Sequence, residues 1–304
     1  MKGANCRDIP VSAPDSMEGM SRISRRSFVV QTAALIPASQ VLFAREPLSQ
    51  SDLGVQLYTV RKVIGKDPLV TLQAIQKIGY TEVEATAGNL DEIWPALEKT
   101  QLKAVSIHLE HSEPGSALDS ALAGHKQRGF EYVVVPYLET ARGGAEGVKR
   151  ISEMLNKIGE QAKSHGLTLC YHNHAHDFTP MGGSSPIAMM MEQTQPSLVM
   201  LELDVFWASV AGLNPVDVLK KYSGRVPLVH LKDKAKDLGV QYNEKVPATA
   251  FKSVGSGSID FPAVLSAAAA SGVRHYFVEQ DETPGDPIAS LRKSYDYLEK
   301  QFKS

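Results

Sequence analysis

Leu57-Tyr58-Thr59-Val60-Arg61 follows the first apolar run of the chain, Leu53-Gly54-Val55-Gln56, and contains no glycine. An open, doubly wound sheet that binds a dinucleotide places a glycine-rich phosphate turn at this point. Without that turn the open sheet is disfavoured, and the rest of the chain decides between architectures. From about Ser51 onward, β-rich apolar runs alternate with segments of helical period. The strands are read at Leu53–Val60, Thr81–Ala85, Lys103–Leu109, Tyr132–Tyr137, Leu167–His174, Val199–Phe206, Pro227–Lys232 and Tyr276–Glu279. Helical segments include Pro68–Ile78, Leu90–Glu98, Ala145–His165, Pro215–Tyr222 and Phe261–Ala270. Eight βα units in about 250 residues predict an α/β fold, a single closed (β/α)8 TIM barrel, over residues 51–304.

Local signals agree with that reading. Asp67 before Pro68 suits an N-cap followed by proline at the first helical position. Asp260 before Phe261-Pro262 is a second N-cap. Gly79, Gly129, Gly166 and Gly272 stand where a helix ends and a strand begins, as a left-handed C-cap requires. Gly255-Ser256-Gly257 follows no clear strand and reads as a flexible loop entering the helix at Asp260.

The 304 residues are 43% hydrophobic and 22% charged, with a formal net charge of -2. That balance gives no global attraction to nucleic acid or to an anionic membrane. Residues 1–50 read as a leader and linker. Ser24-Arg25-Arg26-Ser27-Phe28 resembles a twin-arginine export signal, and the apolar stretch from Val29 to Ala44 is too short to span a bilayer. Export to the periplasm is therefore expected, with no stable membrane insertion. Of the two cysteines, Cys6 lies in the leader, so Cys170 would have no partner in the mature chain.

In a barrel of this kind, chemistry gathers at the C-terminal ends of the strands. Those ends offer Gln56 and Tyr58, Glu84, His108, Tyr137, His172 and His174, Asp204, His230 and Lys232, and Glu279 in turn. A buried carboxylate is costly unless paired or bound to metal. Asp204, His230 and Glu279 fall on three consecutive strands and converge on one axis if each points inward. Two carboxylates and an imidazole suit Mn²⁺, Mg²⁺, Co²⁺ or Zn²⁺, and the ligand set alone does not choose among them; Mn²⁺ is the ion expected. Glu84 and His108 are expected to face substrate, together with Gln56, Tyr58 and Lys232.

Several of these stretches resemble the xylose-isomerase-like superfamily of sugar phosphate isomerases and epimerases. They are Leu53–Arg61, Leu203-Asp204-Val205 with Ala211-Gly212, Val229-His230-Leu231-Lys232-Asp233 after Gly224-Arg225, and Phe277-Val278-Glu279. The resemblance implies that Asp204, His230 and Glu279 ligate metal. It also implies a metal-binding glutamate on the fifth strand, where this chain has Tyr171-His172-Asn173-His174. His172 falls at the glutamate's position and is assigned as the fourth ligand. His174, on the same strand face, and Asp177, in the loop, are alternatives.

The expected activity is that of a metal-dependent isomerase, epimerase or lyase acting on a carbohydrate or keto-sugar. The metal polarises a carbonyl, and Glu279 or a histidine moves the adjacent proton. Epimerisation needs a base on each face of the carbon. A metal-bound His172 could not serve as the second, so elimination is favoured, with His174 or Asp177 assisting the leaving group. A non-catalytic metal- or sugar-binding barrel is the alternative. A metal-dependent phosphodiesterase is disfavoured by the net charge and the leader. A small carbohydrate is the expected partner, with a homo-oligomer allowed and nucleic acid excluded.

Overall fold

The computed structural model describes residues 53–110 and 113–302; the leader lies outside the described residues. Eight parallel strands form a closed barrel: β1 Leu53–Gln56, β2 Glu82–Thr86, β3 Lys103–His108, β4 Tyr132–Val135, β5 Thr168–His172, β6 Val199–Asp204, β7 Leu228–Leu231 and β8 His275–Val278. Each strand pairs with its neighbours in chain order, and β8 closes onto β1 through Leu53–Tyr276 and Val55–Val278. This is the (β/α)8 TIM barrel that the alternation predicted. Several strands end earlier than their apolar runs suggest. Leu57–Val60 is a 3-10 turn, and Val205–Phe206 already belong to the helix Val205–Val210.

The helices begin and end where their side chains direct. Asp67 accepts a hydrogen bond from the Val70 amide (3.0 Å), with Pro68 opening the helix Pro68–Ile78. Asp260 does the same for Ala263 (3.1 Å) at the start of Phe261–Ser271. That helix stops at Gly272, whose φ of 85° is left-handed. Among the described residues, no helix is long and apolar enough to cross a membrane.

Side chains alternate across each strand. On β6, Leu201 and Leu203 join the apolar core beneath the helices, so Glu202 and Asp204 face the barrel axis. The lower interior is apolar, filled by Tyr132, Val134, Cys170, Leu228 and Phe277. Phe277 crosses the barrel against Gly54, where a Cβ would lie 2.6 Å from its ring. Above this plug the interior turns polar, and every functional candidate on the strands lies in or above that upper part.

Candidate active site

Two buried charge groups are stacked at the C-terminal end of the barrel. The deeper one joins Glu84, His108, His172, Glu202 and His230, from β2, β3, β5, β6 and β7. Glu202 Oε2 lies 2.9 Å from His108 Nε2, 3.0 Å from His172 Nδ1 and 3.4 Å from His230 Nε2. Glu84 Oε2 lies 2.6 Å from His230 Nε2 and 3.2 Å from His108 Nε2. Gln56 and Ser106 fix Glu84 by donating to its two oxygens at 2.7 and 2.6 Å. The other oxygen of Glu202, Oε1, is buried and has no hydrogen-bond partner among the described residues.

Burial by itself would raise Glu84, but the charges of His108 and His230 outweigh it and hold the carboxyl well below its usual range. Burial and the neighbouring Glu84 push Glu202 up. Burial works against a charged His108, yet the two glutamates lift it to about 10, and they lift His230 well above the ordinary imidazole value. His172, desolvated and facing other cationic imidazoles, is held well below it.

The upper group is built around an ammonium. Lys232 Nζ lies 2.9 Å from Asp204, 2.8 Å from Glu279 and 2.7 Å from Asp281, and its side chain is only 2% exposed. Burial opposes that charge, but the three carboxylates raise Lys232 well above its usual value. Lys232 and His230 in turn hold Glu279 low despite its burial. Burial pushes Asp281 up to about 6, against the pull of Lys232. Asp204 also caps the helix Val205–Val210 by accepting from the Trp207 amide at 3.0 Å. His230 links the two groups, because its Nδ1 lies 2.9 Å from Glu279.

Above both lies a cavity of about 530 Å³, within the range of small-molecule sites. Its wall includes Tyr58, Tyr137, His174 and Trp207; Lys232 and Asp281 reach it from below, as do His108 and His172. His174 Nδ1 and Trp207 Nε1 are buried and have no hydrogen-bond partner among the described residues. Burial and the charge of Lys232 push His174 down to about 3, so this imidazole is neutral.

The expected site residues divide by depth. Tyr58, His108 and Lys232 line the cavity as expected of substrate-facing groups. Gln56 and Glu84 do not; both are fully buried, and their hydrogen bonds build the deeper group. Asp177 is also fully buried and absent from the cavity wall. It accepts from the His174 amide (2.7 Å), the Tyr171 hydroxyl (2.9 Å) and the Thr140 hydroxyl, and so caps the turn Ala175–Phe178. The leaving-group role expected of Asp177 is thus corrected to one of holding the loop.

The four expected metal ligands do not form one group. Asp204, Glu279 and His230 place ligand atoms within 4.8 Å of one another, whereas His172 falls with His108, Glu202 and His230. His172 Nε2 and Asp204 Oδ2 are 3.8 Å apart. In the upper set a buried ammonium already holds the position between the carboxylates. Both sets hold carboxylate oxygens without a hydrogen bond among the described residues, Glu202 Oε1 below and Asp204 Oδ2 and Asp281 Oδ1 above, the latter two against the Lys232 ammonium, so both offer donors to a divalent ion.

Sequence reasoning missed Glu202 and gave Asp281 no role. Glu202 stands two residues before Asp204 on one strand, and the period of two alone would have placed both on the axis. The Gly255-Ser256-Gly257 loop also has a defined task. The amides of Gly257, Ser258 and Ile259 donate to the Asp233 carboxylate at 2.7, 3.1 and 3.2 Å, so an internal carboxylate fills this nest.

A family model described as a xylose isomerase-like TIM barrel matches residues 72–301. The chain belongs to that family. Among curated relatives it is 32% identical to an inosose dehydratase of Clostridium botulinum (strain Alaska E43 / Type E3) over 157 residues, 48% of this chain and 52% of the relative. It is 31% identical to an inosose dehydratase of Geobacillus thermodenitrificans (strain NG80-2) over 154 residues, 47% of this chain and 51% of the relative. The chain thus spans about half the length of the curated relatives it matches. Among solved structures, a sugar phosphate isomerase/epimerase from Parabacteroides distasonis superposes with a TM-score of 0.68 at 23% identity, covering 86% of this chain and 98% of that one. The IOLI protein with a bound zinc atom superposes at 0.66 with 17% identity, covering 83% and 98%. These two likenesses concern the fold.

Proposed function

We propose that this member of the family is a metal-dependent enzyme that removes a proton next to the carbonyl of a keto-sugar and expels a group from the neighbouring carbon. The observation that carries the reading is the cavity. Its walls carry aromatic rings, His174 and Trp207 there hold buried nitrogens without a hydrogen-bond partner among the described residues, and the Lys232 ammonium meets the Asp281 carboxylate at its floor. Aromatic faces and unsatisfied donors suit a ring bearing many hydroxyls. The partial matches to inosose dehydratases support the same reaction class.

Lys232 is placed to hold the oxygen that becomes negative as the proton leaves, since a fixed ammonium stabilises developing charge at small reorganisation cost. Asp281, beside it, takes the proton from carbon. The electron pair of that C–H bond first forms the enolate, whose oxygen Lys232 holds; as the carbonyl re-forms, the pair becomes the new C=C bond and the C–O bond on the next carbon breaks. Asp281 then returns the proton to the departing hydroxyl, and water leaves. A bound divalent ion would add Lewis-acid polarisation of the carbonyl. His174 is neutral and is placed to hold a hydroxyl rather than to protonate it. Epimerisation would need a second base opposite Asp281. His172, which lines the same cavity, is engaged with Glu202.

The test is incubation with keto-inositols, keto-sugars and keto-glycosides in deuterated water, followed by mass spectrometry and NMR. Loss of water or of a glycosidic group is expected. Stereochemical inversion with deuterium incorporated and no group lost would overturn the elimination. We also propose that the twin-arginine leader carries the chain to the periplasm. Replacing Arg25 and Arg26 by lysine is then expected to retain it in the cytoplasm, and unchanged export on cell fractionation would refute that.

A further inference from the structure

We propose that the rim of the cavity is a second subsite, built by Tyr58 and Tyr137, that takes an uncharged sugar ring joined to the keto-sugar at the floor. The inference rests on the proposed function and adds the substrate class: a neutral glycoside rather than a free or phosphorylated monosaccharide.

Exposure divides the cavity wall into two levels. At the floor Lys232 is 2% exposed, and Trp207, whose ring centre lies 5.7 Å from that ammonium, is 3% exposed. The rings of His174 and Trp207 are 5.5 Å apart and carry their unpartnered nitrogens at this lower level. Tyr58 and Tyr137 line the same cavity but are 44% and 46% exposed. They follow β1 and β4, three strands apart in a closed order of eight, so they stand on well separated walls of the mouth. The two levels share one space of about 530 Å³, so a ring at the rim can be linked to a ring on the floor.

Both tyrosines are braced despite their exposure. The Arg61 guanidinium carbon lies 3.9 Å from the Tyr58 ring centroid and covers one face. Arg61 is itself held by Glu282 at 2.8 Å and by the Tyr58 carbonyl at 3.0 Å. The Tyr58 amide donates to Gln56 Oε1 at 3.0 Å, which ties the turn Leu57–Val60 to the end of β1. Tyr137 packs on the rings of His174 and His176 at 5.2 and 5.0 Å, and His176 is anchored by Glu244 and by the Leu138 carbonyl. A braced tyrosine gives a flat apolar face with a polar tip at small entropic cost, which suits the C–H face of a sugar ring edged by hydroxyls. The charges at the rim fit a neutral ring and disfavour an anion. Among the described residues that line the cavity, Lys232 is the one lysine or arginine, and three carboxylates within 2.9 Å already hold it. His108 is held by Glu84 and Glu202. Glu244 and Glu282 line the wall, and Arg61 and Lys62 are both paired with Glu282. Carboxylates accept from hydroxyls and repel a phosphate.

The test uses the full chain and unoxidised sugars, so that binding is read without turnover. The chain has two tryptophans, Trp94 and Trp207, so Trp94→Phe leaves Trp207 in the cavity wall as the fluorescence reporter, with calorimetry as the check. Methyl glucoside, maltose, cellobiose and glucose 6-phosphate are titrated in turn. At least one disaccharide is expected to bind about 3–10-fold more tightly than methyl glucoside, and the phosphate more weakly than either. Tyr58→Ala and Tyr137→Ala, at exposed positions, are each expected to remove about 3–10-fold from the disaccharide and less from methyl glucoside, whereas Tyr58→Phe and Tyr137→Phe keep the advantage. The proposal is overturned if neither disaccharide has an advantage, if the alanine variants weaken both kinds of sugar equally, or if glucose 6-phosphate binds more tightly than the disaccharides. A disaccharide advantage without elimination from any keto-glycoside would support the subsite and count against the reaction alone. Elimination from keto-monosaccharides with no disaccharide advantage would overturn the subsite and leave the reaction standing.

Discussion

The two groups at the mouth of the barrel both hold carboxylates, fully buried below and partly exposed at Asp281 above, but neutralise them by different means. Above, Asp204, Glu279 and Asp281 share the ammonium of Lys232, whose charge those carboxylates themselves reinforce. Below, Glu84 and Glu202 face three imidazoles and, among the described residues, no lysine or arginine. An imidazole ordinarily gives up its proton near neutral pH, whereas an ammonium this well held does not. The upper layer is therefore a fixed electrostatic platform beneath the cavity. The lower layer is a set of imidazoles and carboxylates that neutralise one another. A single residue, His230, touches both, so a change below is felt at Glu279 above.

The largest expected effect comes from removing the platform's cation. Lys232→Met leaves the buried carboxylates of Asp204 and Glu279, and the partly exposed one of Asp281, without their counter-ion, and breaking a buried pair from one side costs about 3–5 kcal/mol. In the chelated protein that loss is expected as a thermal midpoint lowered by roughly 10 °C. An unchanged midpoint would mean that the carboxylates are solvated rather than paired, and the contrast between the layers would collapse. Asp281→Asn comes next. It keeps the shape of the platform but removes the proposed base, so turnover of a keto-sugar is expected to fall about 10²–10⁴-fold while metal content is unchanged. Equal losses in turnover and metal would instead make Asp281 a metal ligand.

How much of this the sequence disclosed follows from its periods. Alternation of strand and helix, with caps such as Asp67 and Asp260, was sufficient to give the barrel. Strand ends were overestimated where a polar residue ends one element and starts the next, as Asp204 does by capping Val205–Val210. The set of inward-facing side chains was legible as well, but their depth was not. Depth depends on the stagger between neighbouring strands, which no single strand encodes. The register pairs His172 with Glu202, while Asp204 pairs with His230. That one-layer offset separates the fifth-strand histidine from the upper carboxylates. Glu202 escaped notice because it lies inside the run Val199–Phe206, where attention fell on the last polar residue. Asp281 lies beyond β8, and only the folded chain brings it to Lys232.

The smallest expected effect concerns a third pair, at the rim, where an imidazole has a partner but is not surrounded by carboxylates. His176 Nδ1 lies 2.6 Å from Glu244, and Nε2 lies 2.7 Å from the Leu138 carbonyl. Burial works against its charge, but the hydrogen bond to Glu244 and the charge of Asp177 lift His176 to about 9. Because the folded value is raised above the ordinary imidazole range, the stabilisation is fully present below about pH 6.5 and is lost as pH rises through about 9. Glu244 also lines the substrate cavity, so the pair ties a piece of its wall to the turn after β5. A charge-assisted hydrogen bond of this kind contributes about 1–3 kcal/mol, and the 29% exposure of the Glu244 side chain favours the lower end. Glu244→Gln is thus expected to lower stability near pH 6 and to match the wild type above about pH 9, measured by urea unfolding at the two values. Lys232→Met measured beside it is expected to show the same deficit at both, since an ammonium held by three carboxylates does not titrate in that window. If both deficits disappeared together at high pH, lysine and imidazole would be equally exchangeable, and the division between fixed platform and imidazole layer would fail.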